Sequence, residues 1–239
     1  MISKSEIKSI TQLQQKKYRD SRNLFCAEGP KVIKELLTEG IALHAFFSTE
    51  ISEVTENNHN LVTHQELKKI SSLKTANTSL AVFEKPISQK FEDKGLIVAL
   101  DAVRDPGNLG TIIRLCDWFG VTQIVCSTDT ADCYNPKVIQ ATMGSIARVS
   151  VQYVSLVEVL QNSKLPVFGA FMDGENVYKS TLPEEGIIVM GNEANGVSKE
   201  TSAIISEKIS IPQFGNATTE SLNVATATAI LLSEFKRAY

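Results

Sequence analysis

From residue 96 onward, apolar runs of strand length alternate with segments in which apolar residues recur every three or four positions. The runs lie at 96–101, 121–127, 148–154, 166–172, 186–191 and 208–212, and helical patterns occupy the intervals and residues 221–238. Strands that are apolar on both faces are typical of parallel sheets covered by helices on both sides. The pattern therefore predicts an α/β domain with a parallel sheet at residues 94–239.

The first 90 residues have a different pattern of apolar and polar positions, which predicts a smaller α/β domain at residues 1–90. Residues 1–24 carry one helical pattern, and Pro30 suits the first turn of a second helix that ends at Gly40. Shorter strand and helix patterns then alternate. Residues 86–95 are polar and lack periodicity, so we interpret them as the linker between the domains.

Composition narrows the class of protein. Hydrophobic residues make up 43% of the chain and charged residues 21%, which is ordinary for a soluble globular protein. No apolar run is long enough to cross a bilayer, and the N-terminal residues lack the apolar core of a secretory signal. We therefore expect a cytoplasmic protein with no membrane partner.

Charge is distributed unevenly. Residues 1–34 contain eight Lys or Arg and three Asp or Glu, although the whole chain has a net charge of −3. A basic segment on an acidic protein fits contact with phosphate, and Lys16, Lys17 and Arg19 are then the phosphate contacts. A solvated helix face with ordinary lysines explains the same pattern. Tyr18 and Phe25 are candidates for stacking on RNA bases, although a core role is the favoured alternative. Trp118 follows an apolar helix face, and we expect it in the core.

Cysteine and histidine positions give no sign of a metal site. The four cysteines form no CxxC pair, and the three histidines all lie in the first third of the chain. We expect no bound metal, and we expect Cys26, Cys116, Cys126 and Cys133 to be plain buried or half-buried thiols.

Three segments rich in Gly or Asn, at 101–114, 188–196 and 208–226, each contain the end of a predicted strand and the loop that follows. The carboxyl ends of parallel strands share one edge of the sheet, where ligands bind in open α/β folds, so we expect the three loops to converge there. The sequence contains no P-loop, no GxGxxG after the first strand and no GxSxG. Phosphate transfer through a P-loop, ordinary dinucleotide binding and an esterase-type serine are thus unsupported.

Taken together and in order, the three segments resemble the three motifs of the SpoU (TrmH) family of S-adenosylmethionine-dependent RNA ribose 2′-O-methyltransferases. The matching positions are Asp101, Asp105, Pro106, Asn108, Gly110, Arg114, Gly191, Glu193, Gly196, Ile211, Pro212, Ser221, Leu222, Asn223 and Val224. The resemblance covers residues 96–239. The first ~90 residues are similar, less closely, to the RNA substrate-binding domain often fused to these enzymes, a context that strengthens a motif match.

This resemblance implies a trefoil-knotted catalytic domain of the SPOUT type and a homodimer with its active site near the subunit interface. It implies S-adenosylmethionine as the cofactor and RNA as the substrate, with rRNA favoured over tRNA. The cofactor would be bound by Gly191, Ile211 and Leu222. A non-catalytic RNA-binding assembly factor on the same fold and another small-molecule α/β transferase remain alternatives.

The resemblance also implies catalytic roles for Asn108, Arg114, Glu193, Ser221 and Asn223. A general-base role has been proposed for the family's arginine, but a guanidinium stays protonated in proteins. We therefore predict that Arg114 binds the RNA phosphate and stabilises the developing alkoxide. Asn108 would orient the ribose or hold its loop, Glu193 would position Asn108 or Arg114, and Ser221 would cap the last helix. Asn223, expected inside the first turn of that helix, would make a polar contact.

Overall fold

The computed structural model describes residues 2–50, 59–87, 89–215 and 221–237. Its helices are α1 (Lys4–Gln12), α2 (Lys16–Arg22), α3 (Pro30–Thr38), α4 (His64–Ile70), α5 (Pro106–Trp118), α6 (Pro136–Thr142), α7 (Leu156–Asn162), α8 (Lys199–Ser202) and α9 (Val224–Lys236). Its strands are β1 (Leu24–Glu28), β2 (Leu43–Ser48), β3 (His59–Leu61), β4 (Ser79–Glu84), β5 (Leu96–Leu100), β6 (Gln123–Cys126), β7 (Ser150–Tyr153), β8 (Val167–Asn176), β9 (Gly186–Met190) and β10 (Glu207–Ser210).

The chain forms two compact units. Unit 1 comprises Met1–Ile87 and Asp132–Ala147, and unit 2 comprises Ser88–Ala131 and Arg148–Tyr239. The chain therefore leaves unit 2 after residue 131, contributes sixteen residues to unit 1 and returns. The predicted domain limits of 1–90 and 94–239 place that internal segment in the catalytic half.

Unit 2 is built on a parallel sheet whose strand order is β10-β8-β9-β5-β6-β7. Each neighbouring pair is parallel. All residues of the central strands β5 and β9 are buried, as expected for strands covered on both faces. The predicted α/β fold with a parallel sheet is confirmed. Strand order alone does not determine how the chain is threaded, so the trefoil knot stays a prediction.

Unit 1 contains a mixed sheet with strand order β1-β4-β2-β3. Strand β4 is antiparallel to both β1 and β2, and β3 is parallel to β2. Helix α6, which belongs to the internal segment, packs against β1. These elements confirm a smaller α/β unit that includes the N-terminal part of the chain.

The single helix predicted for residues 1–24 is wrong, because the structure has two helices there and a strand begins at Leu24. Asn23 ends α2 in the left-handed conformation, with φ of 56°, which is a common way to stop a helix. The next five residues pair with β4 along their whole length, and four of them are buried. Tertiary pairing therefore overrides the local helical pattern after Arg22.

Arg19 is buried within unit 1, with 2% of its surface exposed. Its guanidinium forms an ion pair with Asp132 of the internal segment, with Nε 3.0 Å from Oδ2, and Nη1 donates to the Leu13 carbonyl oxygen at 2.8 Å. The prediction that Arg19 contacts RNA phosphate is therefore wrong. Lys17 remains exposed, with its Nζ 4.8 Å from the centroid of the Tyr18 ring.

Two aromatic predictions are decided by burial. Phe25 is 1% exposed and packs against the rings of Phe83 and Tyr134, with centroid distances of 5.7 and 5.0 Å. Its core role is confirmed, and it does not stack on RNA. Trp118, expected in the core, is 85% exposed at the end of α5, so that expectation is wrong.

The four cysteines are free and buried, as predicted. Burial raises the pKa of the Cys26 thiol to about 12, and the nearby Glu28 carboxylate adds to this shift. None of the helices in the described ranges has the length and apolar character needed to cross a membrane.

Candidate active site

The first two motif loops begin side by side at the carboxyl edge of the parallel sheet. Strands β5 and β9 are neighbours, and Leu100 lies opposite Met190 in their register. The loops that follow them therefore leave the sheet together. Asp101, 6% exposed, accepts a hydrogen bond from the Ser198 N–H at 2.8 Å, which joins the start of the first loop to the residues after the second.

One residue from each motif takes part in a continuous hydrogen-bonded chain. Asn108 Nδ2 donates to Glu193 Oε1 at 3.0 Å, and Asn223 Nδ2 donates to Asn108 Oδ1 at 2.8 Å. We call this the Glu193–Asn108–Asn223 chain. Glu193 and Asn223 are exposed and Asn108 is half-buried, so their remaining polar atoms can reach a ligand. The convergence of the three loops, expected from the sequence, is therefore seen in the structure.

Local sequence fixes Asn108 at the start of α5. Asp105 is the N-cap, and its Oδ1 accepts the Asn108 backbone N–H at 2.8 Å. Pro106 occupies the first turn, where its missing N–H costs no helical hydrogen bond. The cap holds the backbone of Asn108. The direction of its side-chain amide is then set by its hydrogen bonds with Glu193 and Asn223.

The second loop folds tightly on itself. Asn192 and Gly196 exchange two backbone hydrogen bonds of 2.9 Å. A Cβ atom on Gly191 would lie 2.3 Å from the Gly196 carbonyl carbon, so no larger residue fits without moving the backbone. Gly191 is therefore required for the shape of the loop, and any contact that it makes with a cofactor is made by its backbone.

The third motif is divided between the end of β10 and the start of α9. Ile211 is half-buried just beyond β10, and Leu222 is 49% exposed just before α9. Residues 216–220 lie outside the described ranges. Ser221 is exposed and does not cap the helix, so that prediction is wrong.

The cap of α9 is Asn223, which the sequence had placed inside the first turn. Its Oδ1 accepts the N–H groups of Ala225 and Thr226 at 2.9 and 3.2 Å. Ser and Asn are both good N-cap residues, and the helix begins one residue after Asn223 rather than after Ser221. Asn223 therefore uses its oxygen for the helix and its nitrogen for Asn108.

Arg114 lies on the exposed surface of α5, six residues after Asn108, which is about 9 Å along a helix axis. Its guanidinium has no hydrogen bond or ion pair with any residue in the described ranges. It is therefore not a surface arginine paired with an acidic residue of those ranges. The five donors of this side chain are available to an anionic ligand.

The residues suit the adenosyl part of S-adenosylmethionine. Leu222 is an exposed apolar residue just before α9, Ile211 is half-buried after β10, and Gly191 begins the tight loop after β9. Neutral groups of this kind are typical of nucleoside binding. Gly191, Ile211 and Leu222 would hold it. Across the described residues, no group of three or more His, Cys, Asp or Glu side chains is placed to bind a metal ion.

Sequence reasoning gave no role to Asn192 or Ser127. Asn192 Nδ2 donates to the Ala102 carbonyl oxygen at 2.7 Å, and Ser127 Oγ accepts the Ala102 N–H at 2.9 Å. Ser127 also donates to Asp129, and this hydrogen bond, together with Arg104, lowers the pKa of the Asp129 carboxyl. The available signal for Asn192 was its place between Gly191 and Glu193.

A parallel α/β sheet with three motif loops joined at its carboxyl edge fits a methyltransferase of the SpoU type, and comparison with known families shows that class. The SpoU rRNA methylase family model matches residues 95–233, and the model of the MRM3-like substrate binding domain matches residues 4–86. The chain belongs to the SpoU rRNA methylase family. The predicted class of enzyme, an S-adenosylmethionine-dependent RNA methyltransferase, is confirmed.

Individual proteins show the same likeness. The chain is 28% identical over 236 residues to the 23S rRNA (guanosine(2553)-2′-O)-methyltransferase RlmP of Bacillus subtilis, covering 95% of this chain and 94% of the relative. A TrmH-family protein from Porphyromonas gingivalis is 36% identical with a TM-score of 0.90 and full coverage of both chains. An S-adenosylmethionine-bound rRNA methyltransferase from Sinorhizobium meliloti is 28% identical, with a TM-score of 0.86 and coverage of 100% and 97%.

Proposed function

We propose that this protein transfers the methyl group of S-adenosylmethionine to a ribose 2′-hydroxyl of 23S ribosomal RNA. The observation that carries the proposal is the Glu193–Asn108–Asn223 chain, because it brings the polar residues of three distant motifs to one place. The rRNA substrate of the relative that matches almost the whole chain supports rRNA over tRNA.

The cofactor supplies a methyl group on a sulfonium cation, and its transfer to a hydroxyl releases one proton. Asn108 and Asn223 each use one N–H of the side-chain amide within the chain, so each has a second N–H for the ribose. Glu193 fixes the direction of the Asn108 amide. These contacts hold the acceptor oxygen in line for transfer, which requires reacting atoms about 3–3.5 Å apart.

Arg114 supplies positive charge to the acceptor. Its guanidinium binds a phosphate of the RNA next to the target ribose and stabilises the negative charge that develops on the 2′-oxygen. An exposed arginine that has no protein partner in the described ranges suits this role, since no existing ion pair must be broken.

Incubation of the protein with labelled S-adenosylmethionine and 23S rRNA from cells that lack it tests the proposal. We expect a 2′-O-methylated nucleoside by mass spectrometry. Arg114→Ala should slow transfer about 100-fold, as loss of an oxyanion donor does, and should leave cofactor affinity unchanged. Arg237→Ala is the matched control, since Arg237 is an exposed arginine that pairs with Glu234 on α9.

Three results would contradict the proposal. Methylation of a base, or methylation of tRNA and not of rRNA ribose, would show that the substrate differs from the one proposed. Equal activity of the Arg114→Ala and Arg237→Ala variants would remove the proposed role of Arg114. The absence of any heat on calorimetric titration with S-adenosylmethionine would favour a non-catalytic assembly factor.

We also propose that the enzyme is a cytoplasmic homodimer with a knotted catalytic domain and with its active site near the subunit interface. The exposed Trp118 supports an interface, because tryptophan is enriched at protein–protein interfaces relative to the rest of the surface. It is the only tryptophan of the chain, so its fluorescence reports on the surroundings of α5. Dilution below the dimer dissociation constant should shift its emission to longer wavelength, and sedimentation of a monomer at every concentration would refute the dimer.

A further inference from the structure

The first motif loop begins with a residue in an unfavourable backbone conformation. Ala102 has a φ of 59°, in the left-handed region that residues other than Gly, Asn and Asp rarely adopt. It follows Asp101 directly and lies six residues before Asn108. The direction of the chain at Ala102 therefore decides where the loop that leads to Asn108 starts.

Side chains hold both polar backbone groups of Ala102. Its N–H donates to Ser127 Oγ at 2.9 Å, and its carbonyl oxygen accepts from Asn192 Nδ2 at 2.7 Å. Strained backbone persists only where the surroundings determine it, and such residues cluster at functional sites. The donor from Asn192 comes from the second motif loop, so it couples the two loops directly.

The rest of the Asn192 side chain is committed to its own loop. Its Oδ1 accepts the backbone N–H groups of Ala194 and Asn195 at 3.0 and 3.1 Å. Its backbone pairs with Gly196. The side-chain amide thus has a fixed direction. Its nitrogen is presented to Ala102 at 2.7 Å and also lies 3.5 Å from Glu193 Oε2. Glu193, the acceptor for Asn108, is the next residue.

We propose that Asn192 is a positioning residue for methyl transfer. By holding Ala102 in its left-handed conformation, it sets the course of the first loop and keeps Asn108 within hydrogen-bonding distance of Glu193. The inference depends on the proposed function for its catalytic consequence, and it makes a separate claim about the first loop of the cofactor-free protein.

Asn192→Asp removes the donor to Ala102, and with it the 3.5 Å contact of the same nitrogen with Glu193 Oε2. It keeps the size of the side chain and the oxygen that accepts from Ala194 and Asn195. We expect the turnover number to fall roughly tenfold, which corresponds to one hydrogen bond, while the KM for RNA stays within twofold. Asn195→Asp is the matched control. It adds the same charge to the same loop, and the side chain of Asn195 makes no hydrogen bond with the described part of the chain.

Ala102→Gly provides the rescue. Glycine adopts positive φ without strain, so a loop with Gly at position 102 depends less on the Asn192 donor. We expect the double variant Asn192→Asp/Ala102→Gly to recover most of the lost turnover. A merely structural role of Asn192 within its own loop would not respond to the residue at position 102.

Hydrogen–deuterium exchange of residues 101–110 in the cofactor-free protein gives a readout that needs no activity. Exchange should be about tenfold faster in Asn192→Asp, since the loop opens more often, and should return toward the wild-type rate in the double variant. If the wild-type protein methylates no RNA, the proposed function fails while the exchange still decides the loop coupling. The inference is overturned if Asn192→Asp matches Asn195→Asp in both turnover and exchange, or if Ala102→Gly restores neither.

Discussion

We expect Asn223 to contribute both to helix stability and to catalysis, and the two contributions can be separated by substitution. Its Oδ1 caps α9, and its Nδ2 donates to Asn108. Asn223→Asp keeps an oxygen for the cap but replaces the donor with a second acceptor. Asn223→Ala removes both. The pair of variants therefore predicts different outcomes for stability and for methyl transfer.

The structure sets the size of each effect. Loss of an N-cap costs about 1 kcal/mol, so Asn223→Ala should lower the Tm by about 2–4 °C for a chain of this length. Asn223→Asp should change the Tm by no more than about 1 °C, because the cap remains and a carboxylate is favourable at a helix N-terminus.

Catalysis should suffer in both variants. With Asp at position 223, the Asn108 amide lies between two carboxylates, and either orientation of that amide leaves one pair of acceptors in contact. An unsatisfied hydrogen-bonding group costs about 1–3 kcal/mol, so transfer should slow by about 5- to 150-fold. Single-turnover methylation with saturating cofactor and RNA measures this rate, and thermal unfolding followed by circular dichroism measures the Tm.

Two results would refute this reasoning. Transfer by Asn223→Asp at the wild-type rate would show that the Glu193–Asn108–Asn223 chain does not contribute to catalysis. Equal loss of Tm in both variants would show that the Asn223 oxygen is not the cap that stabilises α9.

Three further predictions concern stability and cofactor binding. Asp132→Ala should lower the free energy of unfolding by about 3 kcal/mol in urea titrations, because it leaves the buried Arg19 guanidinium without its carboxylate. Burial raises the pKa of the folded Cys26 thiol to about 12, against 9.0 for an ordinary cysteine. The unfolded chain therefore releases this proton first, and stability should fall as pH rises above 9. The fall should be shallower in Cys26→Ala, by up to about 1.4 kcal/mol per pH unit. Gly191→Ala should weaken S-adenosylmethionine binding at least roughly tenfold by calorimetry, since the new Cβ would displace Gly196 and with it the second loop.

Much of the catalytic fold could be predicted because its strands are apolar on both faces. Such runs favour strands covered on both faces over strands or helices exposed to solvent. In a parallel sheet, the loops that follow the strands then lie at one edge. The meeting of Asn108, Glu193 and Asn223 follows from that topology. The roles of individual residues needed the family resemblance, since neither composition nor spacing distinguishes Arg114 from another surface arginine.

Long-range partners explain the errors. Arg19 is buried because Asp132, 113 residues away, supplies a carboxylate, and nothing near Arg19 in the sequence indicates this. Strand β1 was not predicted, because its partner β4 lies more than fifty residues later in the sequence. Asn192 was overlooked because its side chain contacts the backbone of Ala102, and nothing in the sequence indicates that this alanine has a positive φ.

The excursion of residues 132–147 into unit 1 limits how this protein can be taken apart. A fragment that ends near residue 90 would lack Tyr134 against Phe25 and the carboxylate for Arg19. A fragment that begins near residue 94 would carry those sixteen residues without the strand that α6 packs against. A chimera that borrows the N-terminal module of a relative must therefore borrow the matching internal segment as well, although forty-four residues separate the two pieces in the sequence.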